Sequence, residues 1–248
     1  MQPATKSVLV YDYTLRIFHW MFAGSLTGAL GLALLADEHS RLFSWHMLLG
    51  IIAGFMLLLR LVLGFVGSKY ARFSRMPVRP SQIIAYARGL FEGGARRYVG
   101  HNPGSALAAL AMFLTVPLLL ATGLVAGREP WEDVHGFLGY ALLSLIGLHL
   151  AGLAWHTVQH RENIAAAMVS GRKVGLPNEA ISSAHPGWAV ACVIGVSAWI
   201  GGLLSNHDAA GAKVRVPLTG LTIELGKNEG GEPKREKEKR KHRDGHER

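Results

Sequence analysis

Four histidines, His19, His46, His135 and His149, stand inside or at the edges of long apolar stretches in this 248-residue chain. Such side chains are costly to place in apolar surroundings and tend to be kept for chemistry. His135 and His149 share one stretch, VHGFLGYALLSLIGLHLAGLAWH, and lie fourteen residues apart. Fourteen helical steps return to within about 40° of the start and rise roughly 21 Å. Both rings therefore leave one helix face, one near each surface of a bilayer. Neutral imidazole is an axial ligand for haem iron, and this spacing suits two stacked haems, one in each leaflet.

The elements that must position these rings are membrane spans. The chain is 50% hydrophobic although its last twenty residues are almost all charged. Residues 17–36, 43–66, 105–126 and 135–157, with a shorter candidate at 187–204, approach or exceed the ~20 apolar residues a transmembrane helix needs. The class is all-α and polytopic. Trp20, Trp45, Trp131, Trp155 and Trp188 lie near span ends, where amphipathic rings favour the membrane interface. The first span is too long for a cleaved signal and carries the His19–Trp20 pair inside it. One cysteine, Cys192, excludes an internal disulfide and a Cys-ligated zinc or iron–sulfur site.

The formal charge of +9 does not point to nucleic acid, because in a membrane protein the placement of Lys and Arg matters more than their sum. The connection 67–104 holds Lys69, Arg72, Arg75, Arg79, Arg88, Arg96 and Arg97 against Glu92, and Arg161, Arg172 and Lys173 follow the fourth span. Connections 37–41 and 127–134 are short and acidic on balance. The N-terminus and the 67–104 loop are thus expected in the cytoplasm, in a bacterial inner membrane. Within that loop, 80–98 reads either as an interfacial helix on anionic lipid or as an ordinary connection. A fifth span places the C-terminal region outside, and 205–248 is expected to be a charged, disordered tail.

Helix direction and depth then pair the histidines. The second and fourth spans both begin outside, with His46 and His135 in their first turns. The first span begins inside with His19 near its start, and the fourth ends inside about two turns after His149. The expected ligand pairs are His46 with His135 and His19 with His149, giving two bis-His b haems. Such iron has no open coordination position and favours electron transfer over substrate activation. Gly50 and Gly139, each four residues after a ligand, either admit a flat macrocycle or serve helix packing. His156 is a competing inner ligand, and His39, His160, His185, His207, His242 and His246 read as solvent-exposed loop or tail residues.

Three further residues are candidates at the inner site. Arg16, one turn before His19, pairs with a haem propionate or with Asp12, or anchors the helix start. Arg60, inside the second span, either snorkels to the headgroups or contacts a propionate or quinone. His101, in the Gly100-His101-Asn102-Pro103 cap of the third span, is either a polar start to that helix or a quinone contact.

In their order and spacing, VYDYTLRIFHW, WHMLLGIIAGFMLLLRLVLGFVGSKYARF, GHNPG and VHGFLGYALLSLIGLHLAGLAWHTVQHRENIAAAMVSGRK resemble the prokaryotic cytochrome b561 family. That family includes the b-type cytochrome subunits of membrane-bound nickel–iron hydrogenases. The resemblance covers about 8–175 and implies a four-helix haem-binding bundle, with 187–204 as an added transmembrane helix. It implies electron exchange between a quinone, ubiquinone or menaquinone, and a redox partner in a respiratory chain. That partner would be a hydrogenase, a c-type cytochrome or another oxidoreductase subunit. The family's ligand positions fall on His19, His46, His135 and His149. With one cysteine, no Cys-x-x-Cys-His motif is present, so any catalytic centre is expected on another subunit. Competing readings are a free-standing quinone oxidoreductase acting on superoxide or another small oxidant, a His-lined metal-ion transporter, and a cofactor-free membrane anchor. Against the transporter, the spans hold no Asp or Glu.

Overall fold

The computed structural model describes residues 5–37, 40, 42–92, 98–125, 130–208 and 213–225. The expectations for His39, Arg96, Arg97, His242, His246 and the tail from 226 lie outside the described residues, as do the side chain of His160 and part of each acidic connection.

Five helices are long and apolar enough to cross a membrane: α1 (Tyr13–Leu35), α2 (Phe43–Val66), α4 (Pro103–Leu124), α5 (Trp131–His160) and α7 (Pro186–Ser205). The shorter α3 (Pro80–Glu92) and α6 (Ala167–Ser170) lie in the connections. The helix starts follow local chemistry. The Asp12 side chain accepts a 2.7 Å bond from Leu15 N at the start of α1, and Asn102 does the same for Ser105 N at the start of α4. Pro103, at the first position of α4, has no amide hydrogen to leave unsatisfied.

The helices form two antiparallel hairpins, α1–α2 and α4–α5, joined through contacts of α2 with α4. A shared core of Phe18, Phe22, Ala53, Met56, Val116 and Leu142 runs between them. The backbone of α5 packs closely on α4, whereas side chains bridge from it to α2. The last long helix, α7, rests on α1 and α2, with Trp199 stacked on Phe55 at 4.6 Å.

At the end holding the start of α1 and the end of α5, β1 (Lys6–Leu9) pairs antiparallel with β2 (Arg172–Gly175). Gly171 precedes β2 at φ 76°, and its carbonyl accepts from Val10 N and Tyr11 N at 2.8 and 3.0 Å. A Cβ at Gly171 would stand 2.7 Å from the Tyr11 carbonyl, so only glycine allows this closure.

At the opposite end the structure corrects the sequence reading. Residues expected to begin a disordered tail instead form β3 (His207–Asp208), β4 (Lys213–Arg215) and β5 (Thr222–Glu224), an antiparallel meander. Val214 and Leu225 are buried with Leu48 of α2 and Leu203 of α7. The physical reason is an alternating pattern, Val214 and Val216, then Leu221, Ile223 and Leu225, around a Pro-Leu-Thr-Gly turn. The charge of the following residues masks it in the composition. His207 is likewise not a solvated tail residue: it packs edge-on against Trp45 at 6.1 Å. His185 is half-buried at the start of α7, with φ 48°.

Candidate haem sites

His46 lies in the first turn of α2, and His135 in the second turn of α5, at the same end of the bundle. Their ring centroids are 6.0 Å apart and the planes nearly perpendicular, at 85°. Imidazole nitrogens bonded at about 2 Å on opposite sides of one metal put their ring centroids roughly 6 Å apart. The outer pair therefore fits an axial pair.

The second nitrogen of each ring is also fixed. His46 Nδ1 donates to the Ala29 carbonyl of α1 at 2.8 Å. His135 Nδ1 lies 3.0 Å from Thr122 Oγ1, whose hydroxyl donates to the Leu118 carbonyl at 2.8 Å. With that hydroxyl hydrogen engaged, His135 Nδ1 is the donor. Both rings are thus held in the tautomer that leaves Nε2 as the free lone-pair nitrogen, the usual arrangement around metal-ligating histidine. Sequence reasoning missed Thr122 and the Ala29 carbonyl. The signal for Thr122 was a hydroxyl in an apolar helix, facing His135 across the α4–α5 turn. The backbone acceptor had no signal.

The helix surfaces one turn beyond each ring are open. A Cβ on Gly50 or on Gly139 would meet nothing within 4 Å, so neither glycine serves close helix packing. Gly123 differs from both. A Cβ there would stand 3.2 Å from His135 Cε1, so glycine makes room for the ring.

At the other end, His19 of α1 and His149 of α5 are half-buried and within electrostatic reach of one another. Around them the structure gathers the other candidates. Arg60 is 2% exposed, its guanidinium 4.8 Å from the Phe73 ring and 5.3 Å from the Phe113 ring. It points into the protein, which overturns the snorkelling alternative. Buried Nη1 of Arg60 and Nε of Arg16 have no hydrogen-bond partner among the described residues. Asp12 caps α1 instead of pairing with Arg16, which packs over the Tyr13 ring at 5.0 Å. The His101 ring lies 5.7 Å from that of Tyr11. Burial first, then the charges of Arg60, Lys173, His19 and His149, push the His101 pKa down to about 4. It is therefore neutral at physiological pH. Burial, then Tyr70, pushes the Tyr11 phenol up, so it stays protonated.

No three His, Cys, Asp or Glu side chains converge on a metal position among the described residues. His46 and His135 stand as a pair, and a pair suits iron whose four equatorial ligands come from a porphyrin.

A model of the prokaryotic cytochrome b561 family matches residues 10–171, which include His19, His46, His135 and His149. The chain belongs to the prokaryotic cytochrome b561 family. It is a multi-pass membrane b-type cytochrome, and the family implies haem b and electron transfer. A curated relative, the probable Ni/Fe-hydrogenase B-type cytochrome subunit of Rhizobium leguminosarum bv. viciae, is 29% identical over 217 residues. That match covers 68% of this chain and 90% of the relative. No solved structure matches. In this cytochrome b561 the family match ends before α7 and the meander, so these are additions to the matched bundle.

Proposed function

We propose that this chain carries two b haems on bis-His ligands and passes electrons between a membrane quinone and a redox partner. The outer haem would sit between His46 and His135, and the inner between His19 and His149. The observation that carries this reading is the outer pair: 6.0 Å between rings, with each Nδ1 engaged by Ala29 or Thr122. When bound, such a haem supplies a one-electron couple with no open coordination position.

The residues of this chain would hold and tune that couple. Thr122 and the Ala29 carbonyl fix the tautomer and orientation of the outer imidazoles. Gly50 and Gly139 keep helix surfaces flat beside them. Arg16 and Arg60 have buried, unsatisfied N–H groups that would donate to a haem propionate carboxylate or a quinone carbonyl, with neutral His101 nearby.

The end bearing β1 and β2 also carries Lys69, Arg72, Arg75, Arg79, Arg88, Arg161 and Arg172, which supports a cytoplasmic location in a bacterial inner membrane. The hydrogenase subunit named for the Rhizobium relative makes a hydrogenase the first partner to test.

The test is reduction of the purified protein in liposomes by a quinol, read at the reduced haem b α-band. The proposal expects quinol to reduce the haem, and an added partner to reoxidise it. A protein that shows no reduced-minus-oxidised α-band contradicts it.

A further inference from the structure

Lys173 occupies a position that its strand would ordinarily give to an apolar side chain. In β2 the exposure alternates, with Arg172 and Val174 outward and Lys173 and Gly175 inward. Lys173 is 9% exposed while its neighbour Val174 is 45% exposed. A one-residue slip would bury the valine and release the lysine to water. The register is instead fixed by pairing from Lys6↔Gly175 to Leu9↔Arg172 and by the two bonds to the Gly171 carbonyl.

The buried ammonium donates to the Tyr98 carbonyl at 2.9 Å, three residues before His101. Arg16 Nη1 lies by Gly171, 3.1 Å from where a Cβ would stand, and two residues before Lys173. Tyr11 joins these parts, its amide bonded to Gly171 and its ring against His101. Strand pairing thus brings Lys173 within electrostatic reach of His101, which Arg60, His19 and His149 also reach. Arg16 and Arg60 each bury an N–H group without a partner among the described residues, and placing two guanidiniums so is costly unless an anion joins them. Among the described residues no carboxylate pairs with Arg16 or Arg60.

We infer that Lys173 is a binding residue of the inner site, completing with Arg16 and Arg60 a cationic pocket for the two propionate carboxylates of the haem held by His19 and His149. The inference rests on the two-haem reading proposed above. A fixed positive charge near iron favours the ferrous over the ferric state, because the ferric centre carries one more positive charge. Lys173 would therefore raise the inner midpoint potential and leave the outer one untouched.

The test is a potentiometric titration of haem-loaded protein, followed optically, for the wild type, K173Q and K173R. Glutamine keeps a donor for the Tyr98 carbonyl but removes the charge. The expected result is two haems in each protein, with one midpoint lower in K173Q, the other unmoved, and both restored in K173R. Loss of one haem in K173Q with retention in K173R supports the same charge requirement. Unmoved midpoints, an equal shift of both, or haem loss in K173R as well as K173Q would overturn it. So would a weaker response to quinol with both midpoints unchanged, which would assign the pocket to quinone. H149A separates the two levels: if it keeps both haems, the ligand reading itself fails. If H149A loses one haem and K173Q moves neither midpoint, only the role of Lys173 fails.

Discussion

Thr122 Oγ1 stands 3.0 Å from His135 Nδ1 and passes its own hydrogen to the Leu118 carbonyl, so a hydroxyl of α4 sets the tautomer of a ring on α5. Outer partners of this kind commonly contribute about 10–100-fold to metal affinity. Thr122→Val, nearly isosteric, should weaken haem retention at the outer site by about that factor. Thr122→Ser should restore it. Haem loss to apomyoglobin, followed by absorbance, measures both.

Gly50 and Gly139 give a steric prediction. A Cβ at either position meets nothing within 4 Å, so the protein packing tolerates a side chain there. Gly139→Leu should leave the helix content and yield near wild type yet remove the outer haem. Circular dichroism with haem quantification checks this. Full haem occupancy in Gly139→Leu would show that the face beside His135 is lipid-facing.

Arg60 is buried between two aromatic rings with an unsatisfied Nη1. Arg60→Met keeps much of the packing and removes the charge. It should lower the midpoint of the inner haem and leave the outer haem in place, as read in a redox titration. A uniform loss of both haems would indicate that Arg60 is needed only for packing.

The meander predicts stability without chemistry. Leu225 is 1% exposed and packs with Leu48 and Leu203. Leu225→Ala should cost about 2–5 kcal/mol if that unit unfolds cooperatively with α2 and α7. It should appear as a lower thermal midpoint at unchanged haem content. If haem content falls in step with stability, the meander also supports the outer site.

Much of this architecture was legible in the sequence because the bilayer imposes simple rules. Length and apolarity locate the five spans, and fourteen-residue spacing puts His135 and His149 on one face. Direction and depth then pair His46 with His135. Features that depend on long-range closure were not legible. Nothing near Lys173 in sequence says that β2 will pair with the chain's first strand and turn that lysine inward. The Ala29 carbonyl is a backbone group, silent in any composition. For Arg60 the sequence slightly favoured snorkelling to the headgroups over a propionate or quinone contact, and only the enclosing rings of Phe73 and Phe113 show it turned inward. The meander was present as a period-two pattern but was overshadowed by the charged residues after it.

The central claim is that the fourth span supplies one ligand to each of two haems. Haem per chain, measured as the pyridine haemochrome in purified wild type, H135A, H149A and the double variant, tests it most directly. Two haems are expected in the wild type, one in each single variant with a different midpoint surviving in each, and none in the double variant. One haem in the wild type, or a single variant that keeps two, would contradict it.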